Sequence, residues 1–153
     1  MSAAPVSSSS ALDALLSHRL GLAGRLLRAW ADDELAPLGV GGPALGLLVR
    51  LAEENGLAQA DLARRGRVEA STVCRMVDRL VRDGLVERRS DPADRRTVRV
   101  HLTARGREVA ERGMAVARDL DARMAGGLDE AERAQLSELL GRVLAEIPGP
   151  VEP

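Results

Sequence analysis

Arg75, Arg79 and Arg82 recur at intervals of four and three residues, and Ser71 and Thr72 stand one turn upstream of Arg75. On a helix this spacing lines the guanidiniums along one face, with hydroxyls at its N-terminal end. A guanidinium is permanently charged and presents a planar fork of donors that suits phosphate oxygens and the acceptor edge of guanine. Downstream, Ser90-Asp91-Pro92-Ala93-Asp94-Arg95-Arg96 has the composition of a turn and ends on two more arginines. The chemistry on offer is recognition of a polyanion rather than bond making. There is no nucleophile elbow, phosphate-binding glycine loop, zinc-binding His-Glu-x-x-His helix or His-centred acid–base group. His18, His101 and Cys74 are the only histidines and the only cysteine, and they have no metal-ligand spacing. No catalytic residue, metal or cofactor is expected.

All 22 basic residues are arginine, yet the formal net charge is −1. The distribution is more telling than the total. Between Arg64 and Arg107 there are 13 Arg against 6 acids, a local charge of +7, while the rest of the chain carries −8. A basic centre between acidic flanks is the footprint of a nucleic-acid-binding module. Taken alone, a charged helix face is ordinarily a solvated one; the adjoining basic turn favours the binding reading.

The elements that must position these residues follow from periodicity. Residues 1–10 are Ser/Ala/Pro-rich and predict a disordered tail. Apolar residues at helical spacing predict a first helix from Ala11 to Ala36, nearly 40 Å long, which suggests a helix shared with a partner. Pro43 opens a second helix to Glu54, and short helices are predicted over Gln59–Arg65 and Glu69–Asp83. In the last of these Val73, Met76, Val77 and Leu80 form the buried face, and Ser71, Thr72, Arg75, Arg79 and Arg82 the outer one. Val86–Ser90 and Thr97–Leu102 alternate and predict a β-hairpin with a charged tip. Thr103 caps a fifth helix to about Gly126, and Asp129 with Glu132 opens a sixth by a capping box. Pro148 and Pro150 end it, leaving 148–153 as a tail. The fold class is therefore mainly α with a small β-hairpin wing: a winged helix-turn-helix of six helices.

In that arrangement the second short helix enters the major groove of duplex DNA, and Arg95 or Arg96 at the wing can enter a narrow minor groove. Asp94, two residues before Arg96, is placed to hold that side chain extended.

The stretch from Leu57 to Val109 resembles the core of the MarR (multiple antibiotic resistance regulator) family. The pieces that carry the resemblance are Ser71-Thr72-Val73, Val77-Asp78-Arg79-Leu80, Gly84-Leu85-Val86, Asp94-Arg95-Arg96, and Leu102-Thr103 with Gly106. The resemblance implies a DNA-binding transcriptional regulator, most often a repressor, that acts as an intertwined homodimer. Residues 11–36 and 103–147 would interlock, and 37–102 would form the DNA-binding lobe. Half-sites of a pseudo-palindromic operator would lie one helical turn apart, about 34–36 Å. By position, Ser71, Thr72 and Arg75 match the base-reading end, Arg96 the wing arginine and Asp94 its orienting acid. One departure stands out: the family usually carries an apolar residue and then Gly in the turn before the recognition helix, whereas this chain has Gly66 and then Arg67. The turn glycine is shifted by one.

The resemblance also implies release of DNA by a small aromatic or anionic effector, bound in a pocket lined by the first, second and fifth helices. Trp30, His18 and Arg50 are candidates for that pocket. A thiol-based alternative would act through Cys74, which lies within the recognition helix next to Arg75. A further alternative is a helical protein-interaction dimer that does not bind DNA. No apolar run is long enough for a membrane span, and no secretory leader is visible, so a cytoplasmic location is expected.

Overall fold

The computed structural model describes residues 11–94 and 97–149. Over these residues the chain forms α1 (Leu16–Leu35), α2 (Gly42–Glu53), β1 (Leu57–Ala58), α3 (Gln59–Gly66), α4 (Ala70–Arg82), β2 (Val86–Ser90), β3 (Val98–Leu102), α5 (Ala104–Met124) and α6 (Glu130–Glu146). The expected six helices and wing are present. The expected disordered tail over residues 1–10 lies outside the described residues.

The first helix is shorter than its periodicity implied. Ala11–Ala14 form a 3-10 turn and Leu15 is extended, with φ −78° and ψ 124°, so α1 starts at Leu16. Its 20 residues span about 30 Å. Leu15 has no capping oxygen, and Leu12, Leu15 and Leu16 are 56%, 51% and 61% exposed. Helical spacing without a surface to pack on does not hold a helix end together.

The wing is a three-stranded antiparallel sheet in the order β1-β3-β2, not an isolated hairpin. Leu57 and Arg88 both pair with Val100, one from each side. Val100 and Leu102 are buried, whereas Val98 is exposed because it stands at the outer end of its strand.

One core joins α2, α3, α4, α5 and the sheet through Leu48, Leu51, Leu62, Val77, Val100 and Val109. Burying that many aliphatic side chains at roughly 1.5–3 kcal/mol each is the main force holding the lobe together. The capping residues fix the helix starts. Thr103 Oγ1 accepts from the Gly106 amide at 3.0 Å to open α5, and Asp129 and Glu132 form the reciprocal capping box of α6. By contrast, α6 contributes no buried residue. Its Leu136, Leu139 and Leu144, and Ile147 just beyond it, are all exposed.

Candidate nucleic-acid interface

The outer face of α4 is set by what its inner face buries. Val73, Val77 and Leu80 are at most 2% exposed, which fixes the helix rotation and turns Ser71, Cys74, Arg75, Asp78, Arg79 and Arg82 outward. Of the hydroxyls expected there, Ser71 is exposed and Thr72 is half-buried. Arg75 Nη2 donates to Thr72 Oγ1 across a long 3.4 Å, so its fork is only lightly held. Arg79 lies 3.6 Å from Asp83 in an exposed pair worth roughly 0–1 kcal/mol. The α4 guanidiniums are thus presented to solvent on one face.

Beside this face stands the wing, tied to α4 by residues the sequence reading did not single out. Arg88 on β2 donates to Asp78 on α4 at 2.6 Å and to Gln59 at the start of α3 at 3.2 Å. One guanidinium therefore links the sheet to both helices of the helix-turn-helix. Arg89 is hydrogen-bonded to Glu87 on the same strand.

The base of the wing is clasped by Asp91. This buried carboxylate accepts from the Ala93 amide at 2.8 Å and from Arg99 Nε at 2.5 Å. Arg99 in turn donates to the Gly56 carbonyl at 3.0 Å, next to β1. The Ala93 hydrogen bond, followed by the Arg99 guanidinium, holds the Asp91 carboxyl below its ordinary range. A lowered folded-state pKa means the clasp is complete above the ordinary carboxylate pKa. It is lost only as pH falls through the folded value. Asp91→Ala is expected to speed amide exchange at Ala93 and Thr97 while leaving Val77 and Leu80 protected. Equal acceleration at all four would mean global loosening and not release of the wing.

Asp94 accepts from the Thr97 hydroxyl at 2.9 Å, and its carbonyl accepts from the Thr97 amide. Arg95 and Arg96, and with them the expected orientation of Arg96 by Asp94, lie outside the described residues.

Two cavities, each of about 420 Å³, flank α2. One lies among α1, α2, α3 and α4, with Arg28 and Arg50 as its charged lining and Leu27, Leu47, Val68 and Met76 among its apolar walls. The other lies among α1, α2 and α5, where a pocket was expected, and Arg50 lines it too. Trp30 and His18 line neither. Trp30 donates to Glu34 at 3.2 Å and lies under Arg123, whose guanidinium carbon is 4.7 Å from the ring centroid. Its aromatic face is thus engaged in joining α1 to α5. His18 Nε2 lies 3.6 Å from Asp13. The structure therefore does not bring the three expected pocket residues together. Among the described residues no cluster of three or more His, Cys, Asp or Glu could hold a metal ion. No single helix among them is long and apolar enough to cross a membrane.

Comparison with known proteins agrees with this geometry. The MarR family pattern matches residues 38–97, the stretch from the end of the α1–α2 turn to the wing. The HTH-type transcriptional repressor Rv2887 of Mycobacterium tuberculosis is 32% identical over 131 residues, covering 86% of this chain and 94% of that protein. A probable transcriptional regulator from Pseudomonas aeruginosa superposes with a TM-score of 0.81 at 31% identity, covering 86% of this chain and 98% of that one. CouR from Rhodococcus jostii RHA1, solved bound to p-coumaroyl-CoA, superposes with a TM-score of 0.78 at 26% identity, covering 94% and 100%. With its arginine-faced helix, its braced wing and relatives aligned over most of their length, the chain belongs to the MarR family of transcriptional regulators.

Proposed function

We propose that this regulator binds a pseudo-palindromic operator as a homodimer and represses transcription by occupying it. The observation that carries the reading is the division of α4. Val73, Val77 and Leu80 are buried to 2% or less and Met76 is half-buried, while Ser71, Arg75, Arg79 and Arg82 are all exposed on the side flanked by the wing. Ser71, Thr72 and Arg75 then read base edges in the major groove, while Arg79 and Arg82 hold phosphates. Asp94, Arg95 and Arg96 belong to a wing that follows the adjacent minor groove.

Pairing is supported by apolar surface that this fold leaves uncovered. Leu12, Leu15, Leu16 and Leu26 on the N-terminal side, Leu139 and Leu144 on α6, and Ile147 just after it are 45–63% exposed. So much exposed leucine marks an interaction surface rather than a solvated one. Residues 11–36 and 103–147 would supply the dimer contacts, and 37–102 the DNA-binding lobe.

The effector reading is supported by the cavity among α1, α2, α3 and α4. Its volume suits a small molecule, its walls are aliphatic, and Arg28 and Arg50 give it positive charge. An anion with an apolar body fits that lining. Because the cavity touches Val73 and Met76 on α4, an occupant that favours one lobe orientation shifts the population away from the DNA-binding one.

The test is a salt titration of binding to a duplex selected by the protein from a random library. Arg79 and Arg82 in each of two protomers, all on phosphates, give a slope of log affinity against log salt of about −4. A slope near zero would assign the basic face to a protein partner instead.

A further inference from the structure

Between α3 and α4 the chain takes a backbone conformation that arginine seldom adopts. Arg67 has φ 51° and ψ 43°, and no other non-glycine residue among those described has positive φ. It occupies the left-handed position of a Schellman turn. The Val68 amide reaches the Ala63 carbonyl at 3.1 Å, and the Arg67 amide reaches the Arg64 carbonyl at 3.2 Å. Glycine ordinarily stands at that position, because a Cβ there crowds the carbonyl that follows. Gly66 is still helical, so the glycine one residue earlier relieves none of this. The turn keeps its geometry with an arginine bearing the strain.

The side chain shows what the arginine is used for. Its Nη1 donates to the Leu144 carbonyl at 3.0 Å and its Nη2 to the Ile147 carbonyl at 2.9 Å, spanning 77 and 80 residues of sequence. Both carbonyls belong to the end of α6. Within a continuing helix the partner of Leu144 would be the amide four residues on, but that residue is Pro148, which has none. Ile147 has already left the helix, with φ −80° and ψ 119°. The guanidinium fork supplies one donor to each of these carbonyls, at the negative end of the helix dipole.

We propose that Arg67 is a positioning residue for DNA recognition. By clamping the turn that precedes α4 to the end of α6, it fixes the angle between the recognition helix and the helices that pair. This rests on the DNA-binding, dimeric reading above. Glu69, the N-cap of α4, lies two residues beyond the clamp, so the start of the recognition helix has little freedom relative to α6. A lobe already held at its working angle loses less freedom when it docks, and binds more tightly for that reason.

Arg67→Gly and Arg67→Lys test this against wild type on the selected duplex. Arg67→Gly relieves the backbone strain but removes the fork. It is expected to melt at or above the wild-type temperature and to bind roughly tenfold more weakly, with an unchanged salt slope. Arg67→Lys keeps the charge yet cannot span two carbonyls, and is expected to lose nearly as much. Wild-type affinity in Arg67→Gly overturns the inference. Full affinity in Arg67→Lys, with a shallower slope in Arg67→Gly, assigns Arg67 to a phosphate and also overturns it. A fall in melting temperature large enough to account for the lost binding gives Arg67 a purely structural role, and does the same. Failure of the wild-type protein to select any duplex would sink the DNA-binding reading itself; equal binding by wild type and Arg67→Gly sinks only the clamp.

Discussion

Gly106→Ala is expected to lower the melting temperature by roughly 6–12 °C and to weaken DNA binding in the fraction that stays folded. A Cβ built at Gly106 would lie 1.9 Å from the carbonyl oxygen of Leu85 and 2.9 Å from its carbonyl carbon. That carbonyl sits where α4 gives way to β2, and it also accepts from the Thr103 amide at 3.1 Å and the Thr103 hydroxyl at 3.1 Å. The first turn of α5 thus rests directly on the joint between recognition helix and wing. A backbone carbonyl bonded on its other side cannot rotate away, so the strain falls at the top of the overpacking range, about 3 kcal/mol. Gly113 in the same helix supplies the control. There a Cβ would meet Leu45 Cδ1 at 2.3 Å, but the obstacle is the end of a side chain that can change rotamer. Gly113→Ala is therefore expected to cost less than Gly106→Ala. Calorimetry on both variants decides it, and a larger loss at Gly113 would show that the Leu85 carbonyl is not the rigid contact described.

What the sequence made legible was whatever depends on short-range periodicity and local chemistry. The spacing of Val73, Val77 and Leu80 set the rotation of α4, and with it the outward placement of Ser71, Arg75, Arg79 and Arg82. The α6 capping box and the Thr103 cap are readable because both partners lie within four residues. The strand pair at Val86–Ser90 and Val98–Leu102 followed from a change of period. Long-range contacts were not readable in this way. β1 is two residues long and exists only by pairing with β3, some forty positions away. The Arg99–Gly56 and Arg88–Gln59 bonds join residues 43 and 29 apart, and in this chain any of 22 arginines could have been the partner. Trp30 was a reasonable pocket candidate by type, yet Arg123, far along the chain, claims its ring. The Gly66-Arg67 departure was visible, but its outcome was not. Whether the turn would shift its glycine or strain its arginine depends on a donor-poor helix end 77 residues away.

Arg75→Ala is expected to weaken operator binding by a factor of about 30 to about 2 × 10⁴ and to erase the preference at one base pair in each half-site. Arg75 lies in the N-terminal half of α4, the part of a recognition helix that reaches base edges, whereas Arg82 is its last residue, which on the proposed docking would face the DNA backbone. A guanidinium bidentate to guanine contributes roughly 1–3 kcal/mol. A homodimer loses that contact twice, and two sites a helical turn apart add almost independently, giving roughly 2–6 kcal/mol in all. Among the described residues Arg75 is held only by its long bond to Thr72, so little internal stabilisation is removed with it. Arg82→Ala should behave differently: weaker binding to every sequence alike, with a salt slope shallower by about 2 per dimer. The two variants are compared by selecting duplexes from the same random library and titrating salt. If Arg75→Ala keeps the wild-type base preferences and only the slope changes, then Arg75 touches phosphate, and base reading must pass to Ser71 and Thr72. If instead neither variant alters selection or slope, α4 is not in the groove, and the exposed arginine face serves some other partner.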